Sequence, residues 1–92
     1  RERFADPEDL WDLVIWEVPV GPKHPEGLRY RLAFIPRGDA RPAVLYDNHH
    51  PKGHHKHVDG RESRFEFSGA GRLLDDFIKD VDDWKDRRAR IR

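Results

Sequence analysis

Four segments of the chain carry the apolar patterns of β-strands. Residues 28–35 place leucine, tyrosine, leucine and phenylalanine at every second position, and a period of two turns successive side chains to opposite faces of a sheet. Residues 10–18 are rich in β-branched and aromatic side chains and stop at a proline, which predicts a strand buried on much of both faces. Residues 42–47 and 62–67 supply the third and fourth strands, with Phe65 and Phe67 predicted to turn inward.

Turn residues separate these strands, and a helical pattern follows them. Three prolines and two glycines make residues 19–27 a connection, and residues 36–41 have the turn chemistry of a hairpin. After Ser68, which suits a helix N-cap, apolar side chains recur at helical spacing and charged ones take the other face. The apolar positions are Leu73, Leu74, Phe77, Ile78, Val81 and Trp84. The predicted fold is α+β: a four-stranded antiparallel β-sheet, a meander, with a C-terminal amphipathic helix packed on one face.

The length of the chain suits one domain. Its 92 residues support a single modest core, so we expect residues 1–92 to form one domain. Residues 1–9 are polar and contain a proline, which predicts a partly disordered lead-in. No run approaches the ~20 apolar residues of a membrane helix, and the first residues lack the apolar core of a signal peptide. We therefore expect a soluble cytoplasmic protein with no membrane partner.

Charge is balanced in total but segregated along the chain. Eighteen basic residues match eighteen acidic ones, so the net charge does not by itself indicate nucleic-acid binding. Basic residues and histidines dominate residues 29–64, whereas aspartates crowd residues 75–86. A neutral protein can therefore still present a basic face.

The densest chemistry lies in residues 46–57, which hold five of the six histidines. One interpretation is metal-independent RNA cleavage: a neutral histidine takes the proton of a ribose 2′-hydroxyl, and a protonated one gives a proton to the departing 5′-oxygen. Histidine suits both tasks because its ordinary pKa of about 6.5 lets both forms coexist near neutral pH. Lys52 or Lys56 would stabilise charge on the phosphorane, and Asp47 would orient one ring.

Two other interpretations stay open. In the first, histidines bind a transition metal and Asp47 completes a mixed nitrogen and oxygen shell, as in a metal-dependent nuclease. The adjacent pairs His49-His50 and His54-His55 point opposite ways in extended chain, so at most one of each pair readily joins a given site. In the second, the stretch is a solvated contact surface of a non-catalytic regulator that binds nucleic acid or protein. The chain has no cysteine, so any metal would be held by histidine, carboxylate or backbone oxygen.

A set of short motifs extends over residues 28–81. It consists of Tyr30-Arg31-Leu32-Ala33-Phe34, Tyr46-Asp47-Asn48, Lys52-Gly53-His54-His55-Lys56-His57, and Phe65-Glu66-Phe67 leading into Leu73-Leu74-Asp75-Asp76-Phe77. In these motifs the chain resembles the TumE family of toxin-antitoxin proteins. The resemblance implies a small toxin with ribonuclease-type activity and a cognate antitoxin, often a helix-turn-helix DNA-binding protein.

The resemblance also selects site residues. Transferred position by position, it marks Asp47, Asn48, Lys52, His55, Lys56 and His57. Combined with the residue chemistry, it predicts His55 and His57 as the acid/base pair, because residues two apart share a face in an extended segment. The predicted catalytic residues are His55, His57, Lys52 and Asp47, and the predicted substrate-binding residues are Arg29, Arg31, Asn48, Lys56 and Arg61. We expect RNA and an antitoxin as partners, with Arg29 and Arg31 guiding the RNA backbone and no cofactor.

Overall fold

One antiparallel sheet and one helix make up the fold. The computed structural model describes the backbone of residues 2–5 and 9–91 and the side chains of residues 9–89. The elements are β1 (Glu2–Ala5), β2 (Asp9–Glu17), β3 (Leu28–Pro36), β4 (Val44–Asp47), β5 (His55–Val58), β6 (Arg61–Arg64) and α1 (Ala70–Ile91). The order of the strands in the sheet repeats their order in the chain. The predicted α+β meander with a C-terminal helix is therefore confirmed.

The sheet has two strands more than the sequence predicts. In the first part of the predicted lead-in, β1 pairs with β2, while residues 1 and 6–8 lie outside the described residues. The other added strand, β5, lies inside the histidine stretch, where a loop or irregular edge was predicted. Its sequence has no apolar alternation, and its pairing with β4 on one side and β6 on the other defines it as a strand.

The predicted fourth strand is shorter than its pattern suggested. It ends at Arg64 as β6, and Phe65 and Phe67 lie beyond it, packed against the core. The helix also begins differently, because the carbonyl of Gly69 accepts the first helical hydrogen bond, from Leu73 N at 3.0 Å. Gly69 rather than Ser68 is thus the N-cap, and its φ of 107° lies in the region that favours glycine.

The core lies between one face of the sheet and α1. Phe77 is fully buried and meets Trp11 and Tyr46 edge-on, with ring centroids 6.1 and 5.5 Å away. Each large apolar side chain buried here contributes about 1.5–3 kcal/mol. The predicted amphipathic helix is confirmed, except that Ile78, which was predicted on its apolar face, is exposed. The buried cluster consists of Tyr30, Leu32, Phe34, Ala43, Val44, Tyr46, Leu73, Phe77, Val81 and Trp84.

The other side of the sheet, which we call the open face, faces away from the helix. Side chains alternate along a strand, so the neighbours of the buried strand residues point to this side. The open face consists of Leu10, Asp12, Val14 and Trp16 on β2, Arg29, Arg31, Ala33 and Ile35 on β3, Leu45 and Asp47 on β4, His55 and His57 on β5, and Glu62 and Arg64 on β6. In the part of the chain that is described, no helix combines the length and apolarity needed to cross a membrane.

Candidate active site

Strand register brings the two predicted catalytic histidines onto the open face with charged neighbours. Asp47 lies opposite His55 on one side, and Arg64 lies opposite His55 on the other. The neighbouring row pairs His57 with Glu62. The ring centroids of His55 and His57 are 5.3 Å apart. The two imidazoles are therefore direct neighbours on the open face.

The ring of His55 is held in a defined tautomer. Its side chain is buried, with 4% of the residue exposed, and Nδ1 lies 2.8 Å from the carbonyl oxygen of Gly53. Because a carbonyl only accepts, Nδ1 carries the hydrogen. In the neutral ring, Nε2 then keeps a lone pair that can take a proton or bind a metal.

Asp47, which was predicted to orient one histidine ring, accepts a backbone hydrogen bond in the structure. Its Oδ1 accepts a hydrogen bond from the backbone N of His49 at 2.7 Å and lies 3.7 Å from Nδ1 of the same residue. The ring-orienting acceptor of His55 is Gly53 O instead. Asp47 thus fixes the start of residues 48–54, which connect β4 to β5 and which we call the histidine loop, and it lies beside the pair.

His57 faces an ionised carboxylate. Its Nε2 lies 3.5 Å from Oε1 of Glu62, and the same oxygen accepts a 2.6 Å hydrogen bond from Lys52 Nζ. That hydrogen bond is the main cause that holds the pKa of Glu62 below its usual value. The carboxylate attracts an imidazolium, so His57 is the better-placed proton donor of the pair.

Sequence reasoning did not select Glu62 or Arg64 as site residues. Arg64 Nη2 donates to the backbone oxygen of Lys52 at 3.0 Å, which ties the histidine loop to β6. The prediction that Phe65 and Phe67 point inward could have indicated them, because strand alternation then turns Glu62 and Arg64 to the opposite side. Only recognition of β5 would have placed them next to the histidines.

Lys56 and Arg61 do not join the histidine pair. Lys56 lies between His55 and His57 in β5 and therefore points to the helix side, where its Nζ contacts Asp80 Oδ2 at 2.9 Å. Arg61 pairs with Val58 on that same side. The two basic residues line a separate groove together with Asp80 and Arg87.

Asn48 is used to hold the strands together. It is buried, its Oδ1 accepts from Tyr30 N at 2.9 Å, and its Nδ2 donates to Leu28 O at 2.8 Å. The side-chain amide therefore bonds to the backbone of β3 just beyond the point where the pairing of β3 with β4 ends. Both ends of the amide are occupied, so the structure does not direct Asn48 toward the histidines.

The two predicted arginines share the open face with the site. Arg31 lies opposite Asp47 in the β3–β4 register, so one strand, β4, separates it from His55. Arg29 is two residues further along β3, and its guanidinium lies over the ring of Trp16 at 5.5 Å. Arg31 is thus the nearer of the two to the histidine pair.

His54 belongs to a polar chain outside the pair, which leads from the buried Tyr30 to the exposed Glu26. Its Nδ1 lies 2.7 Å from Tyr30 OH, and its Nε2 lies 2.9 Å from Glu26 Oε1. The ring stacks on Phe67 at 4.9 Å. The His54 bond is the main cause that lowers the pKa of Glu26, and burial raises the pKa of Tyr30 well above its ordinary range. His54 therefore fastens the histidine loop to the β2–β3 connection.

Comparison with known proteins identifies the family. The model of the family described as "Toxin TumE" matches residues 2–85. The chain belongs to the TumE toxin family. Among curated proteins and among solved structures, none matches it.

Membership of the TumE family defines the biological setting. The protein is the toxin of a toxin-antitoxin system and has a cognate antitoxin as its partner. The matched range contains the whole histidine loop, the open face of β2–β6 and most of α1. The predicted family is thereby confirmed.

In this TumE toxin, three side chains of the described residues could hold a metal ion together. Ligand atoms of His55, His57 and Glu62 all lie within 4.8 Å of one another. Two imidazoles and one carboxylate form a set that transition metals accept. Glu62, rather than Asp47, supplies the oxygen.

Proposed function

We propose that this TumE toxin is an endoribonuclease that cleaves RNA by histidine acid/base catalysis without a metal. The observation that carries the proposal is the His55–His57 pair, with ring centroids 5.3 Å apart on the open face. Their environments differ as the two roles require: a backbone carbonyl accepts from His55, and a carboxylate faces His57.

In the proposed reaction, His55 Nε2 takes the proton of a ribose 2′-hydroxyl. The 2′-oxygen attacks the adjacent phosphorus, and the bond between phosphorus and the 5′-oxygen breaks. His57 gives its proton to that leaving oxygen. The products are a 2′,3′-cyclic phosphate on one fragment and a 5′-hydroxyl on the other.

The cations around the pair stabilise charge on the phosphate. Lys52 is held by Glu62 beside His57, and Arg64 lies opposite His55. Both can contact non-bridging oxygens as negative charge develops there. Arg31, and Arg29 further along the strand, extend the basic surface for the RNA backbone. Such a toxin acts in the cytoplasm, where its RNA substrate is.

The test is cleavage of RNA by the purified toxin in excess EDTA. We expect cleavage with 2′,3′-cyclic phosphate ends, and a loss of about 10²–10⁴-fold in His55→Ala and in His57→Ala. His50→Ala is the matched control, because His50 is an exposed histidine of the histidine loop that precedes β5 and should keep full activity. Circular dichroism of each variant establishes that it is folded.

Two results would contradict the proposal in different ways. Loss of cleavage in EDTA with recovery in manganese would indicate a metal-dependent nuclease, which the His55–His57–Glu62 group supports. RNA binding that weakens steeply with salt, without cleavage, would indicate a non-catalytic regulator.

The proposal extends to the antitoxin. The motifs of the chain resemble toxins whose antitoxin is often a helix-turn-helix DNA-binding protein, and we infer a partner of that type that covers the histidine loop. Co-purification with the product of the neighbouring gene tests it. A partner that binds while RNA cleavage continues unchanged would contradict coverage of the loop.

A further inference from the structure

We propose that His55, His57 and Glu62 form a binding site for a zinc-like divalent ion, and that the ion inhibits the toxin. Inhibition rests on the proposed ribonuclease function, whereas binding does not. The site is built by register, since His57 and Glu62 are cross-strand partners and His55 is two residues away on the same strand.

The distances fit a tetrahedral ion. With metal–ligand bonds of about 2.0 Å, two ligand atoms of a tetrahedral zinc lie roughly 3.3 Å apart. His57 Nε2 and Glu62 Oε1 are 3.5 Å apart, so this edge of the site is already formed. A ligand atom of His55 lies within 4.8 Å of both, so the remaining two edges need to shorten by no more than about 1.5 Å to reach the tetrahedral distance.

One hydrogen bond next to the ligands is of the kind that metal-binding histidines use. A metal-bound histidine typically donates its other N–H to a carbonyl or carboxylate, which fixes the ring and its tautomer. His55 makes this contact with Gly53 O at 2.8 Å, which leaves Nε2 for the ion. Imidazole nitrogen favours zinc and related transition metals over magnesium, which prefers an all-oxygen shell.

In the metal-free toxin, the ammonium group of Lys52 supplies the positive charge next to Glu62. Its ammonium contacts the same Oε1 of Glu62 that faces His57, at 2.6 Å. An arriving divalent ion would compete with Lys52 for this oxygen. The bound ion would also take the lone pairs of both histidines, so that neither could transfer a proton. Metal binding and the proposed RNA cleavage are therefore mutually exclusive.

Binding is tested first, without RNA, by calorimetric titration of Zn²⁺ into the metal-free full chain. We expect one ion per chain, and an affinity at least tenfold lower in Glu62→Gln and in His57→Ala. Glu62 is exposed, so its replacement leaves the fold intact. The control His50→Ala should stay within twofold of the unaltered toxin. Equal affinity in all four proteins, or a loss in His50→Ala, overturns the site.

Inhibition is tested by RNA cleavage in Zn²⁺ and after EDTA is added. We expect at least tenfold slower cleavage in Zn²⁺, full recovery in EDTA, and a smaller ratio between the two conditions in Glu62→Gln. Cleavage that rises with Zn²⁺ overturns inhibition. Site-specific binding by a protein that cleaves RNA under neither condition overturns the proposed function and the inhibition, and it supports the binding site.

Discussion

A single carboxylate, that of Asp80, joins the helix to two strands. Its Oδ2 accepts from Tyr46 OH at 2.5 Å and from Lys56 Nζ at 2.9 Å. Burial, followed by the bond to Asp80, raises the pKa of Tyr46 well above its ordinary range. A hydrogen bond to a charged group contributes about 1.5–3 kcal/mol. The tyrosine and the lysine thus serve the fold, on the side of the sheet away from the histidines.

Tyr46→Phe tests this contact through the pH dependence of stability. At pH 7 we expect the variant to lose about 1.5–3 kcal/mol of unfolding free energy. Above the ordinary tyrosine pKa of 10.0, the unfolded chain releases this proton while the folded one keeps it, so the unaltered protein loses about 1.4 kcal/mol per pH unit from this group. The gap between the two proteins should narrow from pH 10 upward in urea titrations. A constant gap would contradict the raised pKa.

At the scale of the elements, helix α1 covers the buried side of the sheet. Its stripe consists of Leu73, Phe77, Val81 and Trp84. Exposed pairs at i,i+4 spacing, Arg72–Asp76 and Lys79–Asp83, follow the solvent side, and such pairs contribute only ~0.3–0.5 kcal/mol each. Packing of the stripe and the contacts of Asp80 therefore hold the helix on the sheet, and the exposed pairs within the helix add little.

Truncation at the centre of the stripe should be costly. Phe77→Ala removes a fully buried ring that contacts Trp11 and Tyr46, and we expect a loss of about 3–5 kcal/mol. Its neighbour Ile78 is 45% exposed, so Ile78→Ala should change stability by no more than about 0.5 kcal/mol. Urea unfolding followed by tryptophan fluorescence compares the two. Equal losses would contradict the assigned helix face.

Across the whole molecule, the basic residues around the histidine pair share the open face with Asp12, Asp47 and Glu62. Lys52, Arg29, Arg31 and Arg64 surround or extend from the histidine pair, whereas exposed aspartates lie along α1. A neutral chain can therefore offer a local positive surface to a polyanion. Lys56 and Arg61 do not add to it, since they lie on the helix side.

The salt dependence of RNA binding measures which surface is used. Arg64→Gln should weaken binding of single-stranded RNA and reduce the slope of log K against log salt concentration by roughly 0.7. Lys79→Gln removes the same charge from the exposed side of α1 and should leave both quantities unchanged. Equal effects of the two substitutions would indicate that RNA does not bind preferentially to the surface around Arg64.

Apolar patterns were sufficient to predict β2, β3, β4 and the face of α1, because those elements build the core and their periodicity is local. The pattern did not identify β5, since His55–Val58 has the composition of a loop and depends on its neighbours for its conformation. The N-cap was misplaced because a positive φ at Gly69 is a property of the folded backbone.

The same distinction applies to the site. Spacing by two was enough to pair His55 with His57, and the same rule excludes Lys56, which lies between them. Glu62 and Arg64 reach the pair only through the register of β5 with β6, which depends on contacts that a local pattern does not encode. The resemblance marks Asn48 as a substrate-binding residue, and the sequence does not reveal that backbone groups of β3 satisfy its amide.

The order of strands in the sheet bears on how the site can be inherited. Because the meander keeps chain neighbours next to each other, β4, β5 and β6 and their two connections form one unbroken stretch. Asp47, Lys52, His55, His57, Glu62 and Arg64 all lie in it. One recombination event with crossovers on either side would move this entire group between related genes. The exchanged segment would keep the pairing of β4 with β5 and of β5 with β6, because all three strands lie within it.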